Sequence, residues 1–86
     1  MPDAPFELTA HAALAIAERD IELKWIEKAL STPDRIEPHR FDPSLRQALL
    51  LVPERGDRVL RVVYNPVHKP PKVITVFFDR RQRGKL

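Results

Sequence analysis

Cysteine is absent from this 86-residue chain, which removes disulfides, thiolate metal ligands and cysteine nucleophiles from consideration. The absence fits a reducing compartment. Glycine is almost as scarce. Gly56 and Gly84 are the only two, so no glycine-rich loop exists to cradle a phosphate. Ser31 and Ser44 sit in turn-forming stretches and form no nucleophile elbow. His11, His39 and His68 lie far apart and show no H-x-x-x-H spacing, so neither a metal nor a cofactor is expected. Long apolar runs are missing too. Ala48 to Val52 has the length of a strand, far short of the roughly 20 residues that span a membrane. Met1-Pro2-Asp3-Ala4-Pro5 has neither the basic start nor the apolar core of a secretion signal. A cytoplasmic protein with no membrane partner is the expectation.

What is present describes one domain, residues 1–86, with its core at about residues 6–81. Apolar residues make up 43% and charged residues 31%, a balance that folds and that is too apolar for disorder. The chain is too short for two independent cores. Its formal charge is +3, but the sign is unevenly distributed. Arg80, Arg81, Arg83 and Lys85 fall in the last seven positions, 80–86, which hold no acid. The remaining eleven basic residues face twelve acidic ones. The basicity therefore reads as a tail property. The tail either tracks a phosphate backbone or is a solubilising terminus.

Thr9 followed by Ala10 to Arg19 predicts a capped helix, the threonine hydroxyl accepting from the free amides of the first turn. Asp20 is a candidate cap for a second helix, Ile21 to Leu30. Its Ile21, Trp25, Ala29 and Leu23, Ile26, Leu30 stripes merge into one broad apolar face. Pro33 ends that helix, and the short connection at Asp20 predicts a helical hairpin. Arg35 to Phe41 reads as a short irregular strand with Pro38 at an edge or bulge. Leu45 to Val52 reads as a strand, although Asp42-Pro43 also suits a helix start. Glu54 to Asp57 is a hairpin turn with Gly56 at positive φ. Arg58 to Asn65 and Lys72 to Phe78 are valine-rich strands. The expected fold is α+β: two N-terminal helices packed on a three- to four-stranded antiparallel sheet.

Alternation assigns Leu60, Val62, Tyr64, Ile74, Val76 and Phe78 to the face under the helices. Arg61, Thr75, Phe77 and Asp79 point the other way. That face is either a partner site, with Arg61 on a phosphate or carboxylate and Phe77 as a stacking surface, or a solvated face with an Arg61–Asp79 pair. His11, in the first helical turn, tends towards the neutral form there and suits a general base; equally, it is a structural histidine.

Thr9-x-His11-Ala12, Glu18-Arg19-x-Ile21, Ile26-Glu27, Leu30-x-x-Pro33-Asp34, Pro53-Glu54, Val59 to Asn65, and Val73 to Arg80 form a recognisable set. Together they resemble a bacterial domain-of-unknown-function family grouped with the RelE/ParE toxin-like superfamily. Mid-helix the chain departs from the pattern, with Ala15 and Ile16 where relatives often carry arginine. The resemblance implies a RelE-like fold and a toxin that acts on RNA or the ribosome or, in ParE-like relatives, on gyrase, restrained by an antitoxin protein. For a metal-independent ribonuclease it implies His11 as base, with Arg61 and Arg80 as transition-state stabilisers. Thr75, Phe77, Asp79, Arg81 and Arg83 are then the binding residues. The competing expectations are a non-enzymatic protein-binding module and a degenerate toxin that keeps only the fold.

Overall fold

The computed structural model describes residues 5–86; the N-terminal stretch read above for a secretion signal lies almost wholly outside them. The elements run β1 (Glu7–Leu8), α1 (Ala10–Arg19), α2 (Leu23–Ser31), β2 (Arg35–Pro38), β3 (Arg46–Val52), β4 (Arg58–Asn65) and β5 (Lys72–Phe78). Single 3-10 turns follow β3 (Pro53–Arg55) and β5 (Arg80–Gln82). The architecture is α+β, with both helices on one face of the sheet. No helix among the described residues is long and apolar enough to cross a membrane.

The sheet differs from expectation. It has five strands in the order β1-β5-β4-β3-β2 and is mixed, because β1 runs parallel to β5. Two residues are too few to show an alternation, so β1 left no signal in the sequence. The other pairs are antiparallel. Pro38 does lie on an edge strand, where a missing N–H breaks no ladder.

Thr9 caps α1 as its position predicts. Its hydroxyl oxygen accepts from the Ala12 amide at 3.0 Å and donates to the Ile74 carbonyl at 2.9 Å, which fastens the helix start to β5. Asp20 does not cap the second helix. It closes the first in the left-handed conformation (φ 52°), its amide bonding the Ile16 carbonyl, and α2 begins at Leu23 without a side-chain cap. The two helices do not pair as a tight hairpin: α1 packs chiefly on β5, and α2 on β3 and β4. Ile21, Trp25, Ile26 and Ala29 are buried beneath them, whereas Leu23 of the expected stripe is exposed.

The core between helices and sheet includes Leu50, Leu60, Val62, Tyr64 and Val76, with Phe78 packed against it. Ile74 is not part of it. The β4–β5 register slips between Val63, opposite Thr75, and Tyr64, opposite Val73, so Ile74 has no partner. This bulge inverts the alternation beyond it, and Val73 enters the core instead.

The opposite face is buried at its centre and only partly covered towards its margins, at Glu37, Gln47, Thr75 and Phe77. Leu49 and Val59 are fully buried there, and Val63 nearly so. The C-terminal residues are ordered against the domain. The turn at Arg80–Gln82 packs on β4, and Arg35 of β2 donates to the Gln82 side chain at 3.4 Å and the Lys85 carbonyl at 3.2 Å.

Candidate functional site

The chain bends away from the sheet at the end of β5. Antiparallel pairing sets Leu60 opposite Phe78, so Arg58, which opens β4, comes beside Arg80, which follows β5. A cleft of about 380 Å³ lies between them, lined by Arg58, Phe78, Asp79, Arg80 and Arg83. A second, of about 270 Å³, adjoins it and shares Arg58, Phe78 and Arg80 while adding Arg19, Arg55 and Phe77. The two clefts form one continuous surface around the end of the sheet. Five arginines line it, and among the described residues none of the five forms an ion pair.

Local packing explains how so many cations gather. Trp25 and Phe78 meet edge to face, with centroids 6.2 Å apart. The Arg55 guanidinium lies over both rings at 5.7 and 5.5 Å, and Arg58 lies 6.0 Å from the Phe78 centroid. These rings attract cations through their negative faces. Arg55 also donates to the Arg19 carbonyl at 3.1 Å, at the electronegative end of α1. Arg19 itself reaches the Val76 carbonyl at 3.4 Å, on the outer edge of β5. Glu54, next to Arg55 in the chain, forms no ion pair with these arginines; its carboxylate accepts from the Trp25 indole N–H at 3.1 Å. Its own backbone amide, and then that indole, hold its pKa below the usual value.

Asp79 is the one acid lining the surface, and it is already engaged. Its Oδ2 accepts from Arg61 Nε and lies 2.9 Å from Nη2; its Oδ1 accepts from the Arg81 amide at 3.0 Å and from Arg81 Nε at 3.3 Å. Burial alone pushes its pKa up. The hydrogen bonds from Arg81 and Arg61, with the Arg61 charge, outweigh burial and hold it below the ordinary value. Asp79 is therefore a carboxylate without capacity to take a substrate proton, and the rest of the lining is arginine and phenylalanine. Guanidinium groups gathered in this way are chemically suited to phosphate, and the lining contains no free general base.

The expected site residues are distributed as follows. Phe77, Asp79, Arg80 and Arg83 line the clefts. Arg81 is exposed and braces Asp79. Thr75 is half-buried opposite Val63, outside the lining. His11 is exposed in the first turn of α1. It lies eight residues, about 12 Å of helix, from Arg19 at the cleft. Arg61 is buried on the sheet face opposite the helices, so His11 and Arg61 do not come together. Arg61 and Asp79 do pair, but in the interior rather than on a solvated face.

Sequence reasoning missed Arg19, Arg55, Arg58 and Phe78. A signal for Arg58 was present: a hairpin register that pairs residues 60 and 78 brings position 58 beside the expected Arg80. Among the described residues no three His, Asp or Glu side chains gather closely enough to hold a metal ion.

Residues 8–78 match the family described as "Domain of unknown function (DUF4258)", and the chain belongs to that family. No curated protein and no solved structure matches it.

Proposed function

Starting from a family whose name carries no activity, we propose that this protein binds RNA, with the arginine surface at the end of the sheet holding consecutive backbone phosphates. The observation that supports this is the convergence of Arg19, Arg55, Arg58, Arg80 and Arg83, none of them ion-paired among the described residues, on the shared Phe78 wall. Guanidinium groups suit phosphate through their planar fork of donors. Phe77, half-buried at the same surface, offers a ring on which a base can stack.

The test is the affinity for a single-stranded RNA oligonucleotide measured against salt. Each phosphate neutralised on a single strand contributes about 0.7 to the slope of log affinity against log salt. Replacing Arg58, Arg80 and Arg83 together by alanine therefore lowers that slope by about 2 if each holds a phosphate. An unchanged slope and affinity would remove the proposal.

An RNA-directed toxin of the RelE-like kind is the finer form of this reading, and an antitoxin partner would then have to cover the arginine surface. In that form, induction arrests growth and cleaves translated transcripts, and the triple substitution abolishes both. Normal growth with intact transcripts leaves RNA binding standing and removes the toxin. One observation favours binding without cleavage: no side chain lining the clefts is free to accept a proton, both Asp79 oxygens being bonded.

A further inference from the structure

Arg61 is the residue that sequence reasoning would place on the ligand, and its surroundings argue against contact. Its side chain is 7% exposed. Nη1 donates to Glu37 Oε1 at 3.0 Å and to Gln47 Oε1 at 2.9 Å, and Nε donates to Asp79 Oδ2 at 2.9 Å, with Nη2 also 2.9 Å from that oxygen. A guanidinium has five N–H donors, and these contacts occupy four. One Nη2 hydrogen is left over, on a side chain buried to this degree, so the guanidinium offers a phosphate neither an open fork nor an exposed face.

The register explains how the pocket around Arg61 arises. Glu37 lies opposite Gln47, Leu49 opposite Arg61, and Arg61 opposite Phe77. Glu37 and Gln47 thus flank the guanidinium on one side and Asp79 on the other. Arg35 extends the chain of charges at 3.5 Å from Glu37, and Arg81 extends it at 3.3 Å from Asp79. Cations and anions alternate from the edge strand β2 to the start of the C-terminal turn.

Asp79 connects this buried chain to the cleft. Besides gripping Arg61, it caps the 3-10 turn that carries Arg80, through the Arg81 amide. Its backbone N–H bonds the Val59 carbonyl at 2.8 Å, and its carbonyl accepts from Gln82 at 3.2 Å. Arg35 holds the far end of this segment through Gln82 and Lys85, and Asp79 fixes its start, where Arg80 leaves the sheet, with its side chain held from behind by Arg61.

We infer that Arg61 is a positioning residue: through Asp79 it sets the direction of Arg80, without touching the ligand. The inference rests on the phosphate-binding reading of the cleft. Arg61→Lys keeps the charge but loses the fork that spans Glu37, Gln47 and Asp79. It weakens binding of a single-stranded RNA oligonucleotide about tenfold in the native protein and has little further effect once Arg80 is alanine, since residues acting through one another are non-additive.

A direct phosphate contact gives the opposite pattern. The losses add, and Arg61→Lys in the Arg80→Ala background, a charge-preserving change, loses affinity again. That result, or wild-type affinity for Arg61→Lys, overturns the inference. Circular dichroism establishes that each variant is folded at the temperature of the measurement. Should Arg61→Lys not fold, Glu37→Gln loosens the same guanidinium from its half-exposed side. It is expected to weaken binding severalfold with the same loss of effect in Arg80→Ala; unchanged affinity there counts against the positioning role. If Arg58→Ala, Arg80→Ala and Arg83→Ala all bind RNA like the native protein, the cleft itself is misread, an outcome separate from failure of the Arg61 inference alone.

Discussion

At the scale of single residues, the buried carboxylate Asp79 has the clearest consequence for behaviour in solution. Its folded-state pKa is depressed, because the bonds from Arg81 and Arg61 outweigh the burial that opposes them. A depressed pKa means that the folded state holds the charged form more firmly than the unfolded chain does. The associated stability is fully present above the unfolded value, near 3.9 for aspartate, and is lost as pH falls through the lower folded value. Denaturant titrations at stepped pH should show stability falling below about pH 4, and Asp79→Asn should remove that part of the pH dependence. Truncation of Arg61 to alanine is harsher, since it strips a buried carboxylate of its internal partner. We expect a loss of about 3 kcal/mol by chemical denaturation. The pairing of Arg61 with Asp79 was legible in the sequence, because both fall on one face of adjacent strands. Their burial was not. It depends on residues 80–86 turning back across β4 and on Arg35 holding them, contacts between segments almost fifty positions apart. No local pattern carries that information.

At the scale of elements, Thr9 and the β5 bulge show where local rules suffice and where they stop. Thr9 was recognisable as a cap from its position before an alanine-rich run. The structure adds a second bond from the same hydroxyl to the Ile74 carbonyl. Thr9→Ala should cost about 1–2 kcal/mol in thermal or chemical unfolding, while Thr9→Ser, which retains both bonds, should cost much less. The bounds of β4 and β5 followed from their valine-rich composition, and their inward faces followed from alternation as far as Val76. Strict alternation then names Ile74 as a core residue, whereas the bulge brings Val73 in its place. The extra residue in β5 is a property of the β4–β5 pair, and a single strand cannot reveal it. Val73→Ala should therefore cost about 2 kcal/mol and Ile74→Ala under about 1, the reverse of the order expected from side-chain size. Equal losses at the two positions would count against the bulge. The strand β1 illustrates the same limit in another form. It exists because Glu7 and Leu8 lie along β5, held by the Glu7 amide on the Pro71 carbonyl and the Thr9 amide on the Val73 carbonyl.

At the scale of the whole molecule, charge is organised in space and only partly along the chain. The sequence places its surplus of cations in residues 80–86 and leaves the remainder nearly neutral. In the fold, the tail arginines Arg80 and Arg83 meet Arg19, Arg55 and Arg58 from the body, while several body acids are drawn elsewhere: Glu37 to Arg61, Asp79 to Arg61 and Arg81, and Glu54 to Trp25. A near-zero sum over the body thus conceals a strongly cationic surface, which is why the cleft could not be found by counting. The two descriptions predict different binding behaviour. If the tail acted as a loose basic appendage, Lys85→Ala and Arg83→Ala would lower RNA affinity alike, and Arg58→Ala, a change in the neutral body, would matter little. If the folded cleft is the binding surface, Arg58→Ala and Arg83→Ala each lower the salt slope by about 0.7, and Lys85→Ala, whose side chain is exposed and outside the lining, leaves it unchanged. Salt titrations of the three variants separate the two, because the slope counts phosphate contacts rather than total charge. Arg58 decides the matter, since it stands twenty-two positions before Arg80 in the chain and beside it at the cleft.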